Sequence, residues 1–142
     1  MTVMKTRGML LLGLLGLVSL TGCESTIPPG GYGVNAIQFS DVVVPDGMSL
    51  RQGEDESYTL EVGSWRSGHL VYGGTAQVTA VSSYVLERMP QHAWELTADE
   101  VPGEQSRRLR FERGDYVAEY NIRRQENRTT MIVEYTTIPP GE

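Results

Sequence analysis

The sequence is poor in the residues that build disulfide and metal sites. Its 142 residues include one cysteine, Cys23, and two histidines, His69 and His92. A single thiol cannot form an internal disulfide, and neither histidine has a second histidine or a cysteine at zinc-ligand spacing. We therefore expect no metal and no cofactor, and no segment has a catalytic nucleophile motif that would single out a catalytic residue.

Positive charge is also scarce. The chain has 12 lysine and arginine residues against 18 acidic ones, which gives a formal net charge of -6. Nucleic-acid binding needs a basic footprint that neutralises phosphates. The charge balance therefore argues against nucleic acid as a general partner.

No apolar run is long enough for a retained membrane span. The uncharged segment from Gly8 to Gly22 follows Lys5 and Arg7, and it falls short of the about 20 apolar residues that a spanning helix needs. A charged start, a leucine-rich run and small residues at its end are typical of a secretory signal peptide. We therefore predict a lipoprotein signal peptide over residues 1–22.

The tetrapeptide Leu20-Thr21-Gly22-Cys23 ends this leader. It resembles the bacterial lipobox, in which the cysteine becomes the lipidated N-terminus of the mature protein. The alternative is a stray free cysteine, but the position of Cys23 directly after the apolar run favours lipidation. Several acyl chains anchor a protein stably where one chain is marginal, so the membrane is an expected partner.

The residue after the cysteine bears on which membrane holds the anchor. Glu24 stands where lipoproteins kept at the inner membrane usually have Asp. The resemblance therefore implies a cell-envelope protein anchored in the outer membrane and facing the periplasm, with the inner membrane as the alternative.

Cleavage before Cys23 would leave 120 of the 142 residues. The ten basic residues that remain are all arginine, against 18 acidic residues, for a net charge of -8. Residues 23–36 are rich in proline and glycine, which predicts a lipidated N-terminus on a flexible tether spanning roughly 20 Å. We expect residues 37–138 to form a single domain and residues 139–142 a C-terminal tail.

Apolar stretches and turn residues predict strands in the first half of the domain. Ile37–Val44 is expected to form an early or edge strand, closed by a turn at Pro45-Asp46-Gly47. Apolar and polar residues alternate over Tyr58–Val62, as in a half-buried strand. Arg66-Ser67-Gly68 is the expected turn, after which His69–Tyr72 returns as a second strand.

One helix is predicted in the middle of the domain. Val78, Val81, Val85 and Met89 recur at spacings of three and four, which places them on one helical face. The helix is expected to end at Pro90, because the residue before a proline avoids the α conformation.

A strand is expected directly after the helix. Trp94 and Leu96 alternate with Ala93 and Glu95, so they would share one strand face. We predict that Trp94 is buried against the helix. The polar residues Ala98–Gln105 are expected to form a loop.

The clearest strand pairing surrounds Gly114-Asp115, a two-residue turn signal. A hairpin closed there matches apolar with apolar side chains and charge with opposite charge. The predicted pairs are Phe111 with Ala118, Leu109 with Tyr120, and Arg110 with Glu119. A second turn centred on Gln125-Glu126 adds a last strand, with Met131 against Tyr120, Val133 against Ala118, and Tyr135 against Tyr116.

These elements predict an α+β fold: a single antiparallel or mixed β-sheet with one main helix packed on one face. The residues Tyr84, Met89-Pro90, Trp94 and Leu109-x-Phe111-x-Arg113 resemble a pattern in small, mostly uncharacterised bacterial lipoproteins. In that family a helix ending in Met-Pro leads to a Gly-Trp strand and a hairpin. Here Ala93 replaces the usual glycine and Arg113 the usual lysine. The resemblance covers Val44 to Ile138, and its structural motifs imply a fold but no activity.

Arginine is concentrated in the second half of the domain. Strand alternation places three of these arginines, Arg108, Arg110 and Arg123, on one outward face. One interpretation is a solvated face whose arginines pair with Glu112 and Glu119. The other is a docking surface for an acidic envelope protein, a lipid head group or a cell-wall polymer. The whole cluster comprises Arg107, Arg108, Arg110, Arg113, Arg123, Arg124 and Arg128.

The function expected from these features is that of a non-enzymatic envelope lipoprotein that binds or scaffolds other components. The alternative is an envelope enzyme, such as a hydrolase, with a site formed by residues far apart in sequence. A deep pocket with a histidine–carboxylate pair would favour the enzyme, and a flat arginine-lined sheet would favour binding.

Overall fold

The computed structural model describes residues 38–53 and 56–138. The predictions for the signal peptide, Cys23, the tether and the C-terminal tail lie outside these residues and stay predictions. Within the described part of the chain, regular secondary structure extends from Ser49 to Thr137.

Seven strands form one open antiparallel sheet, and one helix lies between the third and fourth strands. The sheet order is β1-β3-β7-β6-β5-β4, with β2 also paired to β3. The predicted α+β class is confirmed, and of the two sheet types expected the antiparallel one is found. The elements are β1 (Ser49–Leu50), β2 (Tyr58–Val62), β3 (Trp65–Gly74), α1 (Val78–Arg88), β4 (Glu95–Gly103), β5 (Ser106–Arg113), β6 (Tyr116–Gln125) and β7 (Arg128–Thr137).

The helix begins and ends close to its predicted limits. Helix α1 is followed by a 3₁₀ turn over Met89–His92, because Pro90 fits the first turn of a helix but cannot continue one. Ala93 then takes a left-handed conformation with φ 62°. A residue other than glycine is uncommon at positive φ, because its Cβ is crowded there.

The hydrophobic core combines the predicted apolar face of the helix with alternate residues of the strands. Val81, Val85 and Met89 are fully buried and belong to one cluster with Leu109 and Phe111. Residues between the core positions of each strand project to the opposite side, which we call the outer face.

The central hairpin has the predicted register. Strands β5 and β6 meet at a turn in which Gly114 has φ 56°. The predicted pairs of Phe111 with Ala118, Leu109 with Tyr120, and Arg110 with Glu119 are all confirmed.

The register predicted for the last strand is wrong by two residues. Gln125 pairs with Arg128, so the turn is centred on Glu126-Asn127, and Glu126 has φ 51°. Because side chains alternate with a period of two, this shift leaves the inward and outward faces unchanged. The inward pairs are Tyr120 with Val133, Ala118 with Tyr135, and Ile122 with Met131.

The strand predicted over Ile37–Val44 is not present in the described residues of that range. Residues 38–44 are irregular, although Phe39, Val42 and Val43 are buried. The amide of Val43 donates to the hydroxyl of Tyr120 at 3.1 Å, so a side chain takes the place of a neighbouring strand. The turn at Pro45-Asp46-Gly47 is confirmed, with Met48 N–H bonded to Pro45 O at 3.2 Å.

Two further predictions for the early strands are wrong. The turn between β2 and β3 lies at Gly63-Ser64, and Arg66-Ser67-Gly68 belongs to β3. The alternating residues of β2 are exposed instead of half-buried, because β2 pairs only with β3 at this edge of the sheet.

The polar loop predicted over Ala98–Gln105 is mostly strand. Strand β4 continues to Gly103 along β5, with register shifts between Leu96 and Ala98 and between Glu100 and Gly103. Pro102 lies in the second irregularity of this edge strand, a position where the missing amide N–H costs no ladder hydrogen bond.

Trp94 is buried as predicted, with 2% of its surface exposed. Its indole N–H donates to Asp41 O at 3.1 Å, and its ring meets that of Tyr135 edge-on at 5.7 Å. Leu96, expected to share its strand face, is 41% exposed at the sheet edge. The indole therefore anchors the irregular N-terminal segment.

Candidate functional site

The three predicted surface arginines do share the outer face. The register places Ser106 opposite Arg123, Arg108 opposite Asn121, and Arg110 opposite Glu119. These positions alternate with the buried Leu109, Tyr120 and Ile122. The hairpin register therefore accounts for their orientation.

Arg108 and Arg110 are neutralised by glutamates of the same face. Arg108 binds Glu100 at 3.1 Å and lies 3.6 Å from Glu119. Arg110 binds Glu112 at 3.1 Å and lies 3.9 Å from Glu119. This part of the cluster matches the solvated-face interpretation, because its positive charge is offset locally.

Arg107 has a structural partner in strand β4. It makes a two-pronged contact with Asp99, at 2.8 Å from Nε and 2.6 Å from Nη2. The hydrogen bond from Arg107 holds the pKa of Asp99 below its usual value. Such a pair links neighbouring strands.

Arg124 and Arg113 bind groups near the loops. Arg124 donates to the carbonyl oxygens of Thr75 and Ala76 at 2.7 and 3.0 Å, which fixes the segment before α1. Arg113 donates to the carboxylate of Asp41, whose residue is buried. Both arginines therefore have structural partners within the domain.

Arg123 borders an open surface pocket together with arginines from two other segments. The pocket has a volume of about 710 Å³ and includes Arg51, Arg128 and one carboxylate, Glu126. Arg123 and Arg128 form no ion pair within residues 38–53 and 56–138, and Arg51 lies 3.8 Å from Glu56. We call these three arginines the cationic pocket.

Exposed apolar side chains occupy the other end of the outer face. Tyr58, Leu60 and Val62 of β2 are 53%, 52% and 64% exposed, and Trp65 of β3 is 39% exposed. Val62 is the cross-strand partner of Trp65, so the four side chains share one face. We call these four residues the apolar corner.

A histidine–carboxylate pair lies beside the apolar corner. His69 Nδ1 is 2.6 Å from Glu134 Oε1, and the His69 ring stacks on Tyr58 at 5.7 Å. The pair sits on the open sheet surface, with half of the Glu134 side chain exposed. In the described ranges, no group of three or more histidine, cysteine or acidic residues is arranged to hold a metal ion.

No protein-family model, curated protein or solved structure matches this chain. In the part of the chain that the structure describes, no helix has the length and apolar character needed to cross a membrane.

Sequence reasoning found some of this surface and missed the rest. Arg123 is an outward residue from strand alternation alone, but its neighbour Arg51 is 72 positions away and is brought close only by the pairing of β1 with β3. The exposure of the apolar corner depends on the absence of a further strand beside β2, which alternation does not report.

Proposed function

We propose that the chain is a non-enzymatic lipoprotein of the bacterial cell envelope that binds or scaffolds other envelope components. The proposed anchor is Cys23, and the proposed location is the outer membrane facing the periplasm. The lipobox-like sequence after a signal-peptide pattern supports the anchor. The resemblance to small bacterial lipoproteins in the helix–Met-Pro–Trp pattern supports the same class.

The cationic pocket is the observation that carries the binding function. Three arginines converge from separate segments, and two of them have no carboxylate partner among the described residues. The planar guanidinium group can hold a carboxylate or phosphate through two parallel hydrogen bonds. An acidic envelope protein, a lipid head group or a cell-wall polymer would supply such groups.

We further infer that α1 packs across the inner face of the sheet and leaves the outer face free for a partner. Val81 and Val85 are fully buried within the core cluster. Arg107 of β5 also reaches the hydroxyl of Ser82 at 3.4 Å. Both contacts support a position of the helix on the side opposite Arg108 and Arg110.

The role of the pocket can be tested by removing two arginine charges from it and, as a control, two from elsewhere on the same face. Arg123→Gln with Arg128→Gln removes the two unpaired arginines, and Arg108→Gln with Arg110→Gln removes two paired arginines from the same face. We expect the first double variant to reduce crosslinked recovery of the partner from intact cells, and the control variant to retain it. Recovery with the wild-type chain should also fall as salt is raised, because exposed charges are screened.

Equal recovery with both double variants, at unchanged stability, would favour the solvated-face interpretation for the whole arginine cluster. A partner lost only with the control variant would move the contact to the centre of the sheet. Either result would contradict the assignment to the cationic pocket.

The enzymatic alternative has one observation in its favour, the short contact between His69 and Glu134. A carboxylate beside a histidine can orient the ring and stabilise its charged form during general acid–base catalysis. His69→Gln would abolish any hydrolysis that depends on this pair. The same substitution would leave recovery of a partner by the cationic pocket unchanged.

A further inference from the structure

The apolar corner has the composition of a membrane-interface contact. It joins two aliphatic side chains, Leu60 and Val62, to two aromatic ones, Tyr58 and Trp65, at one edge of the sheet. Tyrosine and tryptophan are enriched where water meets lipid, because each ring has an apolar body and a polar group. Contiguous exposed apolar side chains on a small domain mark a contact surface.

The charged side chains around the corner are paired. Glu134, beside the corner on the outer face, lies 2.6 Å from His69, and Glu61 and Arg66 bind each other at 3.2 Å on the opposite face of the β2–β3 hairpin. The mature chain is expected to carry a net charge of -8, which an anionic lipid surface would repel. Any attraction of this hairpin to a lipid surface must therefore come from its apolar side chains.

The described chain begins at the same end of the sheet. Phe39, its second residue, lies under the guanidinium of Arg66, with 5.6 Å from Cζ to the ring centroid. The Phe39 ring and the Thr59 side chain of β2 both border the position that a side chain at Gly68 would occupy. A chain that reaches Gln38 from Cys23 therefore enters the domain beside the β2–β3 hairpin. A flexible tether of the predicted kind over the 15 residues 23–37 would span roughly 20 Å, so a lipid at Cys23 would keep this hairpin near the bilayer.

We propose that the apolar corner rests on the surface of the bilayer to which the chain is anchored. The proposal rests on the lipid anchor of the proposed function and adds an orientation to it. Tyr58, Leu60, Val62 and Trp65 would lie at the level of the lipid head groups and the upper acyl chains. The contact is apolar, so it does not require anionic lipid.

The apolar corner and the cationic pocket lie at opposite ends of the same outer face. Strand β3 runs from Trp65 in the apolar corner to Gly73, which the side chain of Arg51 approaches in the cationic pocket. The eight residue steps between Trp65 and Gly73 cover roughly 26 Å. A partner held by the cationic pocket would therefore bind at that distance along the sheet from the apolar corner.

Trp65 offers a direct readout, because the other tryptophan is buried in the core. The lipidated full chain would be reconstituted in phosphatidylcholine vesicles whose acyl chains are brominated close to the head groups, where bromine quenches nearby indoles. We expect the Trp65 emission to be quenched and the Trp94 emission to be preserved. Trp65→Phe should remove the quenched component and leave the other unchanged.

Two matched variants distinguish this contact from nonspecific adsorption of exposed apolar side chains to lipid. Leu60→Ser with Val62→Ser should relieve the quenching of Trp65. Val101→Ser changes an equally exposed valine, 69% exposed on β4, and should leave the quenching unchanged. Circular dichroism and Trp94 emission report whether each variant is folded.

Three results would overturn the proposal. Trp65 could be unquenched in the lipidated chain, quenching could survive Leu60→Ser with Val62→Ser, or the Trp65 emission could depend on protein concentration without lipid. The last result would assign the corner to a second copy of this chain, paired through the open edge of β2. The mass of the mature N-terminal peptide tests the anchor separately, so failure of the orientation and failure of the lipoprotein assignment are distinguishable.

Discussion

Replacing Arg113 with alanine should destabilise the fold by about 3 kcal/mol, because it would leave the buried carboxylate of Asp41 without its cation. The Asp41 side chain is 11% exposed and receives hydrogen bonds from Arg113 and, at 3.2 Å, from the hydroxyl of Tyr135. Arg113 also donates to His92 O at 3.1 Å and lies 4.6 Å from the Trp94 ring centroid. One side chain thus joins the N-terminal segment, the 3₁₀ turn and the core.

The magnitude follows from partial burial. Removing one partner of a fully buried ion pair costs about 3 to 5 kcal/mol. The Arg113 side chain is 29% exposed, which lowers this contribution to about 2 to 3 kcal/mol because water screens the pair. Loss of the cation–π contact with Trp94 adds about 0.5 to 1 kcal/mol.

Urea unfolding followed by far-UV circular dichroism measures this loss, since the guanidinium over Trp94 makes its fluorescence an unsafe probe. Arg110→Ala is the control: its pairs with Glu112 and Glu119 are exposed, and we expect a loss below about 1 kcal/mol. A double-mutant cycle with Asp41→Asn should give a coupling of at least about 1 kcal/mol. Equal losses for Arg113→Ala and Arg110→Ala, or additive effects in the cycle, would refute the reasoning.

Three further predictions concern the buried aromatic side chains. Trp94→Ala should cost about 3 to 5 kcal/mol in the same urea assay, and a loss below about 1 kcal/mol would contradict its place in the core. Tyr72→Phe should be neutral or stabilising by about 1 kcal/mol, because the buried hydroxyl of Tyr72 has no partner within the described ranges. Tyr120→Phe should cost about 1 to 2 kcal/mol, because it removes the hydrogen bonds to Val43 N and Met89 S. A larger loss for Tyr72→Phe than for Tyr120→Phe would be inconsistent with these contacts. Burial raises the pKa of Tyr72 and Tyr135 to about 12, whereas tyrosine in the unfolded chain has a pKa of about 10 and loses its proton first. The free energy of unfolding should therefore fall between about pH 10 and pH 12 relative to its value at lower pH. A flat profile over this range would count against the burial of the two hydroxyls.

The sequence predicts the central hairpin well because its information is local. Gly114 supplies the positive φ of the turn, and alternation then fixes every pair of β5 with β6. The next turn is less well predicted, since Glu126 adopts positive φ without being glycine or asparagine. The inward and outward residues of the last strand are still predicted correctly, because a register shift of two residues leaves each side chain on the same face of the sheet.

The irregular N-terminal segment and the exposure of β2 could not be predicted, although strands over Tyr58–Val62 and His69–Tyr72 were, because both features depend on distant residues. The run around Val43 has strand-like composition, but its amide is bound by Tyr120, 77 positions away. The alternation in β2 shows which side chains share a face, and the sheet topology decides whether another layer covers them.

The arginine cluster shows the same division between local pattern and distant partner. Strand parity alone places Arg108, Arg110 and Arg123 on one face. Which of them is neutralised depends on Glu100, in a segment predicted to be loop, and on the turn at Glu126. The free positive charge consequently lies at the end of the sheet, around Arg123, and not at the centre of the hairpin.

The proposed function depends most directly on Cys23 as the lipidated N-terminus. Mass spectrometry of the mature protein from a bacterial host measures this: we expect an N-terminal peptide that begins at residue 23 and carries acyl chains. Cys23→Ala should accumulate as an unprocessed precursor without lipid. A mature N-terminus elsewhere in the chain, with no lipid on Cys23, would contradict the assignment to the envelope lipoproteins.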